Sequence, residues 1–474
     1  MSMAQPLARV MVVDRLGAPI PGDFDGLSME YPAVPAYLGE TTSSPNRVVR
    51  QLLANLGAGS LRIGGDSEDT SCWGVSSPSH ARGCAFAITP SLLRVLFSTA
   101  AAVHWSVIVG LNLARADPAA AHRYVVDGIV PALGRATLLG LEIGNEPDEY
   151  SNHGLRPAGY SLPRYLREFD GYADVLARDP RARMLPLVGP AFVTTAWDHW
   201  LNLFLAGERA ARLRLVALHY YPFSACGTRD AAGATPDALL SAGTIATMTA
   251  RFAPSVASAR AHGLTLQMDE LNSVSCHGKA GASDTFASAL WYLDTLFTLA
   301  RLGVARVNVH IYDLVRSPGR YNPIVAAANP LPQGGWSYTT SVRPLYYAML
   351  LFGRAAGAGR RFMPVTVTGT RANLKAYAVG DAAQARIFLL NKDRSARGTV
   401  IIALPGARGP ATVTILRAPS LIATAGTTLG GRTVDARTGV LPAPDVVTVR
   451  PAPRTATYSV NVPVASAVMV SINR

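Results

Sequence analysis

Short apolar runs alternate with amphipathic stretches from about residue 24 to residue 312. Few polar residues interrupt the apolar runs, which is typical of parallel strands buried on both faces. The eight candidate strands are FDGLSMEYP (24–32), GSLRIGG (59–65), WSVIVGLNL (105–113), LLGLEIGNE (138–146), MLPLVGP (184–190), RLVALHYYP (214–222), LTLQMDE (264–270) and ARVNVHIYD (305–313). The stretches between them carry apolar residues at three- and four-residue spacing, as helices do. Eight strand–helix repeats predict a (β/α)8 barrel of the α/β class, spanning residues 22–342.

An open, doubly wound sheet is the alternative, but no glycine-rich phosphate loop follows the first candidate strand. After RPLYYAMLLFG (343–353) the pattern changes to short alternating strands separated by Gly, Pro, Asn and Asp turns. This pattern predicts a β-sandwich over residues 343–474. The opening ARVMVVDRLGAPI also has the pattern of a strand, and we expect residues 1–21 to add it to that sandwich.

The composition is that of a folded protein, since 49% of the 474 residues are hydrophobic and 16% are charged. No apolar run approaches the roughly 20 residues that span a membrane. The formal net charge of +13 fits a polyanionic partner such as acidic polysaccharide. The base composition of the genome would explain this charge equally well, because almost all of the positive charge is Arg. The lysines are only Lys279, Lys375 and Lys392.

The four cysteines, Cys72, Cys84, Cys226 and Cys276, show no CxxC or CxxH spacing, so we expect no zinc site. Cys72 and Cys84 are close enough in sequence to pair across a short loop, and Cys226 and Cys276 follow neighbouring strands. The opening MSMAQPLARVMVVD lacks the apolar core of a signal peptide. The protein is therefore either cytoplasmic with free thiols or exported with its leader removed, and we favour export to the periplasm or the medium.

Two candidate strands end in carboxylates. The fourth ends in Asn145-Glu146-Pro147 and the seventh in Asp269-Glu270. The carboxyl ends of barrel strands form the active-site face, so both glutamates are expected at one mouth. A pair of carboxylates is the minimum machinery for glycoside hydrolysis, in which one protonates the leaving oxygen and the other attacks the anomeric carbon. For a single Glu, a strand-end salt bridge would be the simpler interpretation.

GLEIGNEPDEY and LQMDELNSVSC resemble the retaining glycosidase clan whose catalytic glutamates lie on strands four and seven. More narrowly, the whole chain resembles the heparanase-like β-glucuronidases of glycoside hydrolase family 79. The motifs that carry this narrower resemblance are LRIGGDS, GLNLARAD, LHYYPF and VNVHIYD, together with the sandwich built from both ends of the chain.

This resemblance implies roles for particular residues. Glu146 would be the acid/base and Glu270 the nucleophile. Asn145 would bind the sugar 2-hydroxyl, and Glu30 would bind ring hydroxyls unless it is a surface carboxylate. Arg62 would keep Glu270 ionised, a role compatible with an ordinary barrel salt bridge.

Further residues are expected to support the site. Either Tyr220 or Tyr221 would orient Glu270 or line the sugar pocket, although both could be packing aromatics. We expect His219 to be a packed, hydrogen-bonded residue, and Asn112 of the third-strand motif to have a supporting role.

The resemblance also implies that backbone amides after the nucleophile, together with a tyrosine, bind the sugar carboxylate. The corresponding loop here is NSVSCHGKAGAS (272–283), which contains Gly278 and Lys279. Lys279 would meet a carboxylate or sulfate, or would be a solvated loop residue. Tyr321 and Tyr346 are the candidate tyrosines.

The sequence therefore predicts a retaining β-glucuronidase that needs no cofactor and no metal. We favour endo action on an acidic polysaccharide such as heparan sulfate, with exo release of terminal glucuronic acid as the alternative. A non-catalytic polyanion-binding protein and another clan specificity, such as arabinofuranosidase or xylosidase, are the remaining hypotheses. We expect a monomer that binds no nucleic acid.

Overall fold

The computed structural model describes residues 5–75, 83–207, 209–313, 318–357, 359–407, 409–453 and 455–474. Eight parallel strands close into a barrel. In chain order they are β1 (Asp25–Glu30), β2 (Ser60–Gly64), β3 (Ser106–Leu111), β4 (Thr137–Ile143), β5 (Leu187–Phe192), β6 (Leu213–Tyr220), β7 (Leu266–Leu271) and β8 (Arg306–Ile311). Pairing of β8 with β1 closes the ring. The predicted barrel is confirmed, with its strands in sequence order.

Helices surround the strands. The longer ones are Arg47–Leu56, Pro90–Val103, Leu162–Ala177, Ala242–Ala261, Phe286–Leu302 and Pro344–Gly353, and shorter ones are Val34–Leu38, Pro118–Arg123 with Tyr124–Ile129 and Val130–Ala132, Thr195–Asp198, Leu201–Phe204, Arg209–Arg212, Thr228–Gly233 and Pro236–Leu240. Local sequence explains where several begin. The Asn46 side chain accepts a hydrogen bond from the Val49 amide and caps the helix Arg47–Leu56. The Thr89 side chain accepts from the Leu92 amide in the same way, and Pro90 is the first residue of the helix that follows.

The remaining strands form a two-sheet sandwich. One sheet contains Val365–Thr368, Ala8–Val12, Gly398–Ala403 and Thr457–Val462, and the other contains Arg361–Met363, Leu374–Gly380, Gln384–Asn391, Ser466–Asn473, Ala411–Arg417, Thr428–Leu429 and Val447–Val449. The strand Ala8–Val12 lies antiparallel to Val365–Thr368 and parallel to Gly398–Ala403. The predicted sandwich, with its N-terminal strand, is therefore confirmed.

The helix Pro344–Gly353 differs from the predicted domain boundary, which placed it in the sandwich. Its buried side chains, such as Leu345 and Phe352, belong to the same apolar core as the barrel strands. It packs against the barrel helices Phe286–Leu302 and Arg47–Leu56. Because it closes the ring of helices around the barrel, the catalytic unit extends beyond residue 342.

Small strand pairs lie among the loops of the barrel. They are Gly39–Thr41 with Ser44–Pro45, Ser71–Trp73 with Phe86–Ile88, and Ile324–Pro330 with Trp336–Val342. The Tyr338 hydroxyl of the last pair donates to the Ser44 carbonyl at 2.8 Å, which joins two of these loops. None of the helices in the described part of the chain has the length and apolar character needed to cross a bilayer.

Candidate active site

Glu146 and Glu270 meet at the mouth of the barrel, at the carboxyl ends of β4 and β7. Oxygen atoms of the two carboxylates and a ring nitrogen of His219 all lie within 4.8 Å of one another. Both glutamates are largely buried, with 8% and 6% of their surface exposed. Glu146 has a left-handed backbone, with φ of 49°. A side chain other than glycine adopts this conformation only at a cost, which is typical of functional sites.

Arg62 of β2 lies fully buried beneath the two glutamates. Its guanidinium donates to Glu270 Oε2 at 2.7 Å and to Asn145 Oδ1 at 2.8 Å. It also donates to Glu142 Oε1, and Glu68 Oε2 lies 3.5 Å away. One guanidinium therefore faces several carboxylates, which we call the Arg62 cluster: Arg62, Glu68, Glu142, Asp269 and Glu270.

Glu270 is held in its ionised form. Burial raises the pKa of Glu270, but the positive charges of His310, His219 and Arg62 outweigh burial and hold it at about 2. The Tyr221 hydroxyl donates to Glu270 Oε1 at 2.7 Å. Each oxygen of Glu270 thus accepts a hydrogen bond, and the carboxylate is fixed in place.

Glu146 is held in its protonated form. Burial raises the pKa of Glu146 to about 8, against the lowering effect of His219. His219 Nδ1 lies 2.8 Å from Glu146 Oε1. Two carboxyl groups less than 5 Å apart therefore have pKa values far apart, as an acid and a nucleophile must.

These residues open into a pocket of about 280 Å³. Its lining residues are Asp66, Glu146, Glu149, His153, Val193, Thr194, Tyr221, Cys226, Glu270, Ser275, Cys276, His277, His310, Tyr312 and Tyr321. The lining contributed by the described residues includes four carboxylates but neither Lys nor Arg. The described lining is thus rich in carboxyl groups and lacks basic side chains of Lys and Arg, although the chain as a whole carries a charge of +13.

The loop after β7 shapes one wall of this pocket. Cys276, His277 and Gly278 have φ values of 54°, 71° and 79°, so three consecutive residues are left-handed. A Cβ atom on Gly278 would lie 2.9 Å from the Tyr321 amide nitrogen, so the close approach requires glycine. No acceptor for the amides of His277 and Gly278 is found among the described residues. These N–H groups are free to bind an anion.

Disulfides hold the loops of the mouth. Cys226 is bonded to Cys276, which joins the loop after β6 to the loop after β7. Cys72 is bonded to Cys84 in the loop after β2. Both pairings are those expected from the sequence.

Glu30, Asn145 and Tyr321 lie at the site as expected. Glu30 is buried and accepts from the amides of Asp66, at 3.1 Å, and Ser67, at 2.7 Å. Tyr321 lines the pocket, with its ring 6.2 Å from that of Tyr221.

Four expected residues make hydrogen bonds or ring contacts outside the pocket. The Tyr220 ring packs against Phe252 on the outer side of β6. The Tyr346 hydroxyl donates to the Leu52 carbonyl at 2.8 Å, between two barrel helices. Lys279 Nζ donates to the Ala231 carbonyl at 2.5 Å, and Asn112 Nδ2 donates to the Ser71 carbonyl at 3.1 Å. Of the paired alternatives, Tyr221 and Tyr321 therefore lie at the site, whereas Tyr220 and Tyr346 do not. Lys279 and Asn112 bond to backbone carbonyls.

Several site residues were not singled out from the sequence. His310 of β8 lies 3.5 Å from both Glu30 and Glu270, and its Nδ1 lies 3.0 Å from the Ser28 hydroxyl. His277 stacks on Tyr312 at 3.7 Å between ring centroids. The sequence did carry a signal for His310, because it is a polar residue within the apolar strand run VNVHIYD. Residues such as Asp66, Glu149 and His153 lie in loops and had no such signal.

Two groups of acidic and histidine side chains converge closely enough to consider a metal ion: Glu142, His219 and Asp269, and Glu146, His219 and Glu270. His219 belongs to both groups, and both of its ring nitrogens already face carboxylate oxygens.

The fold and the paired glutamates define the class, a barrel glycoside hydrolase. Comparison with known proteins agrees. The family description "Glycosyl hydrolase family 79 C-terminal beta domain" matches residues 376–469. A β-glucuronidase of Neurospora crassa is 25% identical over 334 residues, which cover 60% of this chain and 56% of that relative. The chain thus spans little more than half the length of this curated relative.

Solved structures show the same fold. A 4-O-α-L-rhamnosyl-β-D-glucuronidase from Fusarium oxysporum 12S has a TM-score of 0.75 at 18% identity, over 97% of this chain and 99% of that one. A GH51 arabinofuranosidase from Xanthomonas axonopodis pv. citri has a TM-score of 0.68 at 16% identity, over 98% and 100%. These likenesses show a shared fold, and the family 79 match covers the C-terminal β domain, over residues 376–469.

Proposed function

We propose that this protein is a retaining β-glucuronidase that removes terminal glucuronic acid from glycans. The observation that carries the proposal is the glutamate pair. One oxygen of each carboxyl group lies within 4.8 Å of the other, while the pKa values are held at about 8 for Glu146 and about 2 for Glu270. A spacing of roughly 5–5.5 Å suits double displacement, whereas inversion requires roughly 6.5–9.5 Å for an intervening water.

In the first step, ionised Glu270 attacks the anomeric carbon while Glu146 transfers its proton to the leaving oxygen. The glycosidic bond breaks and an ester to Glu270 forms. In the second step, Glu146, now a carboxylate, takes a proton from water, whose oxygen attacks the anomeric carbon. Glu270 is released, and Glu146 ends the cycle protonated.

The leaving group belongs on the Glu146 side of the pocket, so the glucuronic acid occupies the opposite side. Asn145 would bind the 2-hydroxyl. Glu30 and Asp66 would accept hydrogen bonds from other ring hydroxyls. The amides of His277 and Gly278 would bind the carboxylate, in keeping with a backbone whose N–H groups lack acceptors among the described residues.

Exo action is favoured by the size and charge of the pocket. The pocket volume of about 280 Å³ is small, and Asp66 and Glu149 are among its lining residues. The described lining residues include neither Lys nor Arg, so a sulfated sugar would bind there without a basic counter-charge, which is unfavourable. The expected substrate is therefore a glucuronide on an uncharged glycan.

Endo cleavage of heparan sulfate is the second candidate, and the net charge of +13 favours it. Charge attracts a polyanion at long range, but at physiological salt the attraction is screened beyond about 8 Å. Groups lining the pocket therefore decide which sugar occupies it, and those groups include carboxyls but, among the described residues, neither Lys nor Arg. We further propose an oxidising compartment for the protein, in keeping with its two disulfides.

The test compares three substrates: an aryl β-glucuronide, an uncharged glycan ending in glucuronic acid, and heparan sulfate. Release of free glucuronic acid and the polymer size distribution by gel filtration are both followed, with Glu270→Gln as control. We expect glucuronic acid from the first two and no early fall in heparan sulfate size. A rapid fall in size that the variant lacks would replace exo with endo action. No release from any substrate would reject the proposed function.

A further inference from the structure

The His219 ring lies between two carboxylates, one of which is the proposed acid/base. His219 stands near the end of β6 and is fully buried. Its Nδ1 is 2.8 Å from Glu146 Oε1, and its Nε2 is 3.2 Å from Asp269 Oδ1. Nδ1 makes a hydrogen bond to Glu146, whereas Nε2 lies at ion-pair distance from Asp269 without hydrogen-bond geometry, so the two nitrogens face carboxylates on opposite sides of the ring.

The carboxylate behind the ring is itself supported. Asp269 is within hydrogen-bonding reach of Glu142, and two carboxyl groups can bond only if one carries a proton. Arg62 donates to the other oxygen of Glu142. With the shared proton on Glu142, Asp269 is an acceptor that faces Nε2, and it favours a proton on that nitrogen.

The other side of the ring must suit both states of Glu146. When Glu146 is a carboxylate, during the second step, Nδ1 can bond to it only as a donor. When Glu146 is an acid, an accepting Nδ1 would hold its proton on Oε1, away from the substrate. A donating Nδ1 suits both states, and the ring then carries a positive charge. Oε2 of Glu146 has no protein partner among the described residues, so it is the oxygen available to the leaving group.

We propose that His219 is a positioning residue whose Nδ1 donates to Oε1 of Glu146 while Asp269 holds Nε2. The proton of the general acid therefore resides on Oε2, facing the leaving oxygen. The positive ring also stabilises the carboxylate that remains after proton transfer. This inference rests on the proposed function and assigns a task to a residue that the mechanism above does not use.

Charged groups reach the ring from two strands. Glu142 comes from β4 and Glu146 from the turn after it, while Asp269 and Glu270 come from β7. Removing the ring would take a positive charge from this group. Glu146 would then be a weaker acid, because its anion would be less stabilised. The loss would be greatest for substrates whose leaving oxygen requires a proton.

The test measures kcat/KM for a series of β-glucuronides, from 2,4-dinitrophenyl through phenyl to methyl, with two matched variants. His219→Gln places its amide near the Nε2 position and loses the Glu146 contact. His219→Asn places its amide near the Nδ1 position and keeps it. We expect His219→Gln to lose less than about tenfold on the dinitrophenyl substrate and roughly 10²- to 10³-fold on the methyl substrate. His219→Asn, which keeps the donor to Oε1 but not the positive charge, should lose less than His219→Gln on the methyl substrate.

His122→Asn is the control, because His122 pairs with Asp179 at 2.8 Å in a histidine–carboxylate contact outside the pocket. It should change no member of the series. Equal losses across the series, or identical behaviour of the Gln and Asn variants, would overturn the positioning role. If His219→Gln does not fold, His219→Asn decides, since a loss on the methyl substrate as large as the roughly 10²- to 10³-fold expected without the donor would contradict the proposal. A wild-type protein inactive on every glucuronide would instead reject the proposed function.

Discussion

Two buried ionic clusters of this molecule are built on opposite principles. In the Arg62 cluster, one guanidinium faces four carboxylates at the barrel mouth. In the second, which we call the Asp294 cluster, one carboxylate faces two ammonium groups between barrel and sandwich. Asp294 of the helix Phe286–Leu302 accepts from Lys392 at 2.6 Å and Lys375 at 3.1 Å, and from the Tyr377 hydroxyl. Two of the three lysines in the chain thus donate to this single aspartate.

The difference appears in protonation. Burial raises the pKa of Asp294, but Lys392 and Lys375 outweigh burial and lower it. In the Arg62 cluster, burial raises the pKa of Glu142 to about 8 and that of Glu68 well above its usual range. An acid with enough counter-charge stabilises the fold. An excess of acids keeps some of them protonated, and such perturbed groups are typical of catalytic sites.

The largest expected effect is on activity at the Arg62 cluster. Glu270→Gln removes the nucleophile but retains a side chain of the same shape, so turnover of a glucuronide should fall by roughly 10⁴- to 10⁶-fold. Steady-state kinetics measures the loss, and thermal unfolding establishes that the variant is folded. Retention of more than about a hundredth of wild-type activity would contradict the assignment of this residue.

The next effect is on stability at the Asp294 cluster. Asp294→Asn leaves the ammonium of Lys392 buried without a counter-ion, so unfolding free energy at pH 7 should fall by about 3–5 kcal/mol. Because the folded-state pKa of Asp294 is lowered, this residue stabilises the fold at pH values above the usual carboxyl pKa. The stabilisation is lost as the pH falls from there through the lowered pKa. Denaturant unfolding at pH 7 and at pH 3 measures this, with unchanged kcat at low temperature as the control.

The third effect is the pH dependence of activity. The reaction needs ionised Glu270 and protonated Glu146, whose pKa values are about 2 and about 8. For a poor leaving group, kcat/KM should be level across the acidic and neutral range and fall about tenfold per unit above pH 8. A fall that begins near pH 5 would mean that burial does not hold the proton on Glu146. Glu146→Gln should lack the alkaline fall.

The smallest expected effect is a gain in unfolding free energy at the Arg62 cluster, opposite in sign to the loss expected at the Asp294 cluster. Burial and the neighbouring Glu142 raise the pKa of Glu68, so its presence costs stability at pH 7, where the unfolded chain would ionise it. Glu68→Gln should therefore increase unfolding free energy at pH 7, by about 1 kcal/mol, and the gain should disappear near pH 4. A decrease like that of Asp294→Asn would show that Glu68 is an ionised partner of Arg62.

Much of the barrel could be predicted because its signals are local. Apolar runs mark strands, three- and four-residue spacing marks helices, and strand ends carry Asn145-Glu146 and Asp269-Glu270. The helix Pro344–Gly353 contacts both barrel helices and sandwich strands, and its apolar pattern is the same whichever layer it covers.

The choice between Tyr220 and Tyr221 shows where local signals end. Alternation along a strand places His219 and Tyr221 on one face and Tyr220 on the other. The pattern does not say which face lines the barrel, because β6 is apolar on both. Only the ring of eight strands turns Tyr221 towards Glu270 and Tyr220 towards Phe252.

By itself, the sequence determined the order of strands and helices, the sandwich joined by an N-terminal strand, and the two glutamates at strand ends. These depend on periodicity and on position along one segment. Tertiary structure alone decided the partners: Arg62 under both glutamates, His219 between Glu146 and Asp269, and a carboxyl-rich pocket in a basic chain. The reason is physical. Burial and charge at a site depend on side chains from strands far apart in sequence, and only closure of the barrel brings those strands together.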